Sequence, residues 1–290
     1  MHKLFLIFAF LFSTLSANVD NIYLTGDNLK AFCHHIVDVD HPTLDTKKVQ
    51  RGDLVYVVTP YLDHFFRNFH SLIKKPYILV SHDDDNPVPG AFGQFLHDNK
   101  IIAWFAQNVQ KAVHPKLHPM PIGMANKKWW CGDIAVLNKK TSEPPKERNI
   151  ALYMNFTVDT NKAERGLVHD LFKNKPYCKA VYGKSFEEYL DDLQQTQFVL
   201  SPRGNGLDCH RTWECILMGA IPVVKSSDLD PLFEDLPVLI IDNWQEISPR
   251  FLRHKYEEMK YRTYKMEKIF LPYWLNKIDQ VRQDYLSKKQ

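Results

Sequence analysis

Glycine is scarce in this chain, 11 residues in 290, and no G-x-G-x-x-G stretch occurs, so the common dinucleotide fingerprint is missing. Cysteine is sparse as well. Cys33, Cys131, Cys178, Cys209 and Cys215 contain no C-x-x-C pair, which excludes the usual zinc spellings and leaves no metal to be read from cysteine spacing. The net charge is only +3, from 37 basic and 34 acidic residues, too small a surplus to argue for a nucleic-acid partner. Beyond the first 17 residues no apolar run approaches the length that spans a bilayer. Internal repeats and low-complexity segments are lacking too. What remains is an ordinary globular composition, 44% hydrophobic and 24% charged, long enough for one large or two modest domains.

The N-terminus, MHKLFLIFAFLFSTLSA, has one lysine, an apolar run from Leu4 to Phe12 and small residues ending at Ala17. It resembles a secretory signal with cleavage near Ala17. An uncleaved anchor, which would associate the chain with a membrane, is the alternative. Either reading places the protein in the secretory pathway, secreted or membrane-anchored. In such an oxidising compartment one or two disulfides can form, leaving at least one thiol over, and Asn155-Phe156-Thr157 is a glycosylation sequon.

The chemistry concentrates in Gln197–Lys225, QFVLSPRGNGLDCHRTWECILMGAIPVVK. Phe198-Val199-Leu200 reads as a buried strand. A loop with Arg203, Gly204, Asn205 and Gly206 follows, its glycines allowing backbone to approach a ligand. Helical spacing runs from about Asp208 to Met218 and stops at Gly219, with a second strand at Ile221–Val224. A helix N-terminus favours an anion. Arg203 and Arg211 can fork onto a diphosphate, His210 can add a donor, and Glu214, on the same face as Arg211, can accept from two ribose hydroxyls. The competing reading makes Arg211 and Glu214 a helix-surface ion pair and the glycines a plain turn.

The ordered series F-V-L-S-P-R-G-N-G, H-R-x-W-E and G-x-I-P-V-V resembles the nucleotide-sugar-binding segment of exostosin-like glycosyltransferases. The likeness covers roughly Phe198 to Asp242. Tyr77–Asp85 and Trp104–Asn126 resemble the acceptor-side half of small members. The resemblance implies a GT-B fold, a nucleotide-diphosphate sugar as co-substrate with no cofactor, a glycan or glycoconjugate acceptor, and inversion by direct displacement.

Along the chain, strands at 22–25, 54–59, 77–81, 101–106 and 117–122 alternate with helical spacing at 61–73 and 90–97. This pattern argues for a parallel sheet covered by helices. A polar, lysine-rich run between Gly132 and Arg148 reads as a linker. Strands at 150–155, 180–182, 198–200, 221–224 and 238–241, with helices at 163–173 and 186–193, restart the pattern. The expected architecture is therefore α/β, two Rossmann-like halves with parallel sheets. Residues 18–140 form the acceptor-side domain and 141–268 the nucleotide-sugar domain. A C-terminal helix over 269–290 crosses back to the first half. Leu252, Tyr256, Met259 and Met266 share one helical face and read as packing.

Two further groups fall at strand ends, where open α/β sheets bind ligands. In Ser81-His82-Asp83-Asp84-Asp85 three readings compete. Asp83 is the nominee for a general base, with His82 and Asp84 beside it. Alternatively Asp83 and Asp85 form a D-x-D pair that holds a metal, or the run is an acidic turn. In Pro121–Trp130, Asn126 can bind a sugar hydroxyl and Trp129 can stack on a ring, unless the segment is a proline-framed turn. The expected activity is metal-independent glycosyl transfer. The rivals are a non-catalytic nucleotide- or carbohydrate-binding protein and a metal-dependent enzyme using Asp83 and Asp85.

Overall fold

The computed structural model describes residues 22–111 and 113–288; the leader-like segment 1–17 lies outside them. Ten strands build two sheets. The first contains β1 (His35–Val37), β2 (Leu54–Val58), β3 (Tyr77–His82), β4 (Ile101–Ala106) and β5 (Leu117–Pro119), all parallel and in sequence order. The second contains β6 (Ile150–Met154), β7 (Cys178–Ala180), β8 (Thr196–Leu200), β9 (Ile221–Lys225) and β10 (Leu239–Ile241), parallel, in the order β10-β9-β8-β6-β7. Helices α1 (Gly26–Ala31), α2 (Leu62–Phe65), α3 (Ile134–Thr141), α4 (Lys162–Phe172), α5 (Phe186–Gln194), α6 (His210–Leu217), α7 (Pro249–Met259) and α8 (Leu271–Ser287) intervene.

The central strands read as unbroken apolar runs because both sheet faces are covered: β3 and β4 are buried at every position. The chain therefore has the two parallel α/β halves its alternation predicts. The strand orders differ in a way the sequence did not disclose. In the second sheet β7 lies outside β6, and the chain returns across β6 to place β8 on its other side. A crevice opens at such a reversal, at the carboxyl ends of the two strands involved.

Several elements differ from expectation for local reasons. Residues 22–25 do not form a strand. Tyr23 makes a lone antiparallel bridge to Phe270, and Thr25 caps α1 by accepting the Asn28 N–H. The proposed linker contains α3, whose first turn is capped by Asp133. This helix docks on α5 through the nearly buried Lys140 ammonium, which pairs with Glu143 and Asp191 at 3.0 and 2.9 Å. Met266 lies in a 3-10 turn beyond the end of α7, so it does not share a helix with Leu252 and Met259. Helix α8 buries Leu271, Trp274 and Ile278, and backbone hydrogen bonds from Leu24 to Ile269 and from Leu271 to Ile22 fasten it to the first half. All five cysteines are free thiols. Among the described residues no helix is long and apolar enough to cross a membrane.

Candidate active site

The carboxyl edges of the two sheets converge on a cleft of about 560 Å³. Its first-half wall comes from residues just beyond β3, β4 and β5, and its second-half wall from residues just beyond β6 and β8. Three hydrogen bonds join the walls and a fourth joins the halves outside the cleft. Asp208 accepts the Ile122 N–H at 2.8 Å and gives its own N–H to Asn108 at 3.0 Å. His210 Nδ1 donates to the Gly123 carbonyl at 2.8 Å, and the Lys111 N–H reaches Asp228 at 2.8 Å. Because a carbonyl only accepts, the His210 proton sits on Nδ1.

Two arginines dominate the second-half wall. Arg211, in the first turn of α6, donates from Nε to the Asn155 carbonyl at 3.1 Å. Arg165, from α4, is 6% exposed and donates to the Arg203 and Thr157 carbonyls, both at 3.0 Å. Each guanidinium carbon lies 5.7 Å from the centroid of the Phe156 ring. Burial, and then the charge of Arg211, push the Arg165 pKa down. Among the described residues neither arginine forms an ion pair with a carboxylate. A buried cation without an ion-pair partner, such as Arg165, is costly unless an anion joins it.

Glu214 lies behind Arg211, fully buried. Burial lifts its pKa to about 7 against the pull of Arg211 and the nearby Tyr189 hydroxyl. That hydroxyl is buried beside Glu214 yet outside hydrogen-bond geometry with any group. Burial also raises Asp208, to about 6, although the Ile122 and Cys209 N–H groups and Trp213 Nε1 all donate to it.

Gly204, Asn205, Gly206, His210, Arg211 and Glu214 all line this cleft; Arg203 does not. Ser201 and Arg203 instead face away from the cleft on another side of the loop. They line a separate notch of about 190 Å³ with Glu164 and Lys225. Arg203 Nη2 is tied to the Asn205 carbonyl at 2.9 Å. The expectation that Arg203 and Arg211 act together is thus corrected: the partner of Arg211 is Arg165. A signal for it existed, since Arg165, Val168 and Phe172 recur on one buried helix stripe, and a cation on an apolar stripe calls for a reason.

The first-half wall also departs from expectation. Asp83 lies in the cleft, but its carboxylate accepts from Tyr56 at 2.7 Å and Asn126 at 2.9 Å, with His82 Nδ1 at 3.3 Å. Burial opposes ionisation, yet these donors outweigh it and hold the Asp83 pKa well below the ordinary carboxylate range. Gly26 leaves room for this carboxylate: a Cβ there would lie 1.7 Å from Asp83 Oδ1. His82 is 1% exposed, with its other nitrogen on the Pro121 carbonyl at 2.9 Å, so it does not reach the cleft. Asn126 borders the cleft with both ends of its amide engaged, to Asp83 and to the Asp27 N–H at 2.9 Å. Asp84 caps the Asn86 N–H at 2.8 Å. Asp85 reaches across to the glycine loop, 2.8 Å from where a Gly206 Cβ would stand. Trp129 is 55% exposed at the rim, with the Lys128 ammonium 5.5 Å from its ring. The sequon asparagine, Asn155, lies on the cleft floor.

Residues 172–288 match the family model of the RXYLT1 C-terminal domain. That span is about two fifths of the chain and contains the segment that resembles the exostosin-like donor half. It includes Arg203, Arg211 and Glu214 but not Arg165 or the first-half wall. No curated protein matches the sequence. Among solved structures, a chain from the crystal structure of the GtfA/B complex aligns with a TM-score of 0.40 at 10% identity. The alignment covers 82% of this chain and 59% of that one, so this chain spans 59% of that chain's length.

Proposed function

We propose that the cleft binds a nucleotide-diphosphate sugar and transfers its sugar to a hydroxyl of a glycan or glycoconjugate. The observation that carries this reading is the pair Arg165, buried, and Arg211, half-buried, gathered around Phe156 with no carboxylate in ion-pair contact with either among the described residues. A diphosphate supplies the missing charge, and two guanidinium groups can fork onto its oxygens. In the reaction the same charges stabilise the departing diphosphate, an electrostatic contribution that is strongest in a dry cleft. Glu214 and Tyr189 lie one helical turn deeper, where a pentose would sit. The match to the RXYLT1 C-terminal domain, a xylosyltransferase-like and exostosin-related family, supports the same class.

We assign no metal to the step, because the arginines supply the cationic charge. Inversion by direct displacement follows from the exostosin resemblance. That Asp83 already accepts from Tyr56 and Asn126 supports the metal-independent reading over the metal-dependent rival.

The test is a thermal-shift screen of UDP, GDP, CDP and ADP, with and without magnesium or manganese, since the shift tracks ligand concentration over Kd. At least one nucleotide should raise the Tm without metal. Arg165→Met and Arg211→Met should each weaken it about 10- to 100-fold, the loss of one charge-assisted contact of about 1.5–3 kcal/mol. A nucleotide shift unchanged in both variants, or seen only with metal, refutes the assignment.

A further inference from the structure

Five carboxylic side chains line the cleft: Asp83, Asp84, Asp85, Asp208 and Glu214. A group that removes a proton from an acceptor hydroxyl must have a free lone pair and must reach the substrate. Four of the five are each more engaged or less accessible than Asp85. Asp83 accepts from Tyr56 and Asn126 and lies against His82 Nδ1. Asp208 is buried and accepts from Ile122, Cys209 and Trp213. Glu214 is fully buried behind Arg211, on the side the donor's pentose would occupy and away from an acceptor hydroxyl. Asp84 turns back on its own loop to hold Asn86. Asp85 alone is exposed to solvent, and among the described residues no hydrogen bond or ion pair engages its carboxylate.

Its position is equally specific. Asp85 rises from the first-half wall, two residues past the hydrogen-bonded hub at Asp83, and ends against Gly206 of the second half. It therefore stands where the two walls meet, facing the loop that borders the arginine pair. Trp129, exposed on the same first-half wall, marks the side from which an acceptor ring would approach.

We propose that Asp85 is the catalytic base of the transfer; this rests on the reading of the cleft as a glycosyltransferase site. The Asp85 carboxylate takes the proton of the acceptor hydroxyl as that oxygen forms its bond to the anomeric carbon. The bond from the anomeric carbon to the diphosphate oxygen breaks, and its electron pair leaves with the nucleoside diphosphate, held by Arg165 and Arg211. The products are the glycosylated acceptor, the nucleoside diphosphate and one proton, which Asp85 releases to solvent.

The experiment compares wild type, Asp85→Asn and Asp84→Asn with the nucleotide sugars of the base selected by thermal shift and a panel of p-nitrophenyl glycoside acceptors. Nucleoside-diphosphate affinity is measured in parallel. The expected result is a kcat at least about 100-fold lower in Asp85→Asn, with affinity within about threefold of wild type and Asp84→Asn near wild type. If the wild type transfers sugar and Asp85→Asn stays within about tenfold of it, the base assignment is overturned and the transferase reading stands. Equal loss of nucleotide affinity and kcat in Asp85→Asn overturns the assignment too, because the carboxylate would then serve binding. If the wild type binds nucleotide but transfers to no acceptor, both readings fall together.

Discussion

Gly206 offers the sharpest test of how the two halves are joined. Its φ lies outside the left-handed region, so the backbone itself would accept alanine. The space would not: the new Cβ would lie 2.6 Å from Asn108 Nδ2 and 2.8 Å from Asp85 Oδ1. Asp85 is exposed and can swing aside. Asn108 is fully buried and held at both ends, donating to the Asp84 carbonyl at 3.1 Å and accepting the Asp208 N–H at 3.0 Å. Moving it forfeits two hydrogen bonds at about 1 kcal/mol each, and a clash that is not fully relieved adds about 1 kcal/mol more. The expected destabilisation of Gly206→Ala is about 3 kcal/mol, a Tm drop of roughly 6 °C at about 2 °C per kcal/mol for a chain of this size. Calorimetry on Gly206→Ala, on Asn108→Gly and on the double variant closes the cycle. Glycine is chosen at 108 because that residue has a φ of 53°, which suits it. With the Asn108 side chain gone, alanine at 206 should cost almost nothing further. A Tm for Gly206→Ala within about 1 °C of wild type, or full additivity in the double variant, refutes the packing argument.

Glu214 makes stability depend on pH in a definite direction. Its folded pKa is raised to about 7 from 4.5, so its contribution is fully present below the unfolded value and is lost as pH rises from about 4.5 through 7, by at most about 3 kcal/mol. Glu214→Gln removes that loss while leaving every other titration in place. The variant should therefore gain Tm relative to wild type between pH 5 and 7.5, and a pH-independent difference between the two contradicts the burial argument. At the rim, Trp129→Ala should leave the Tm and nucleoside-diphosphate affinity unchanged and raise acceptor KM about fivefold, the loss of roughly 1 kcal/mol of ring contact. An unchanged KM removes Trp129 from the acceptor path.

Most of the fold was legible because the central parallel strands announce themselves as short β-branched or aromatic runs, such as Leu54–Val58 or Ile101–Ala106, whereas the short strand His35–Val37 at the sheet edge did not. Strand order was not legible. Nothing in Cys178–Ala180 says that it lies outside β6, yet that placement puts the crevice between β6 and β8. The lining of the candidate cleft was half visible. Gly204, Arg211 and Glu214 could be found because strand, loop and helix follow one another in the chain. Arg165 and Phe156 could not be placed with them, since they come from the loop after β6 and from α4, and only the sheet brings β6 beside β8. Proximity in sequence misled in two places. Arg203 sits one residue from Gly204 but faces away from the cleft. Asp83, the most acidic-looking candidate base, turned out to anchor Tyr56, His82 and Asn126 instead.

The distribution of charge across the cleft follows from how it is assembled. Fixed cations come from the second half, uncommitted carboxylate from the first, and neither half alone holds both. Displacement at an anomeric carbon needs positive charge at the leaving group and a proton acceptor on the opposite side, and under the proposed function the junction is where both are available. That junction is rigid by construction. One continuous apolar core includes Leu24, Val80 and Trp104 from the first half together with Tyr153, Leu190 and Trp213 from the second. Above it, Asp208 and His210 bind Ile122, Asn108 and Gly123. Hinging the halves apart would break these bonds and expose buried rings, whereas donors already in position need no reorganisation when charge develops. The geometry favours a cleft that is set before the substrates arrive.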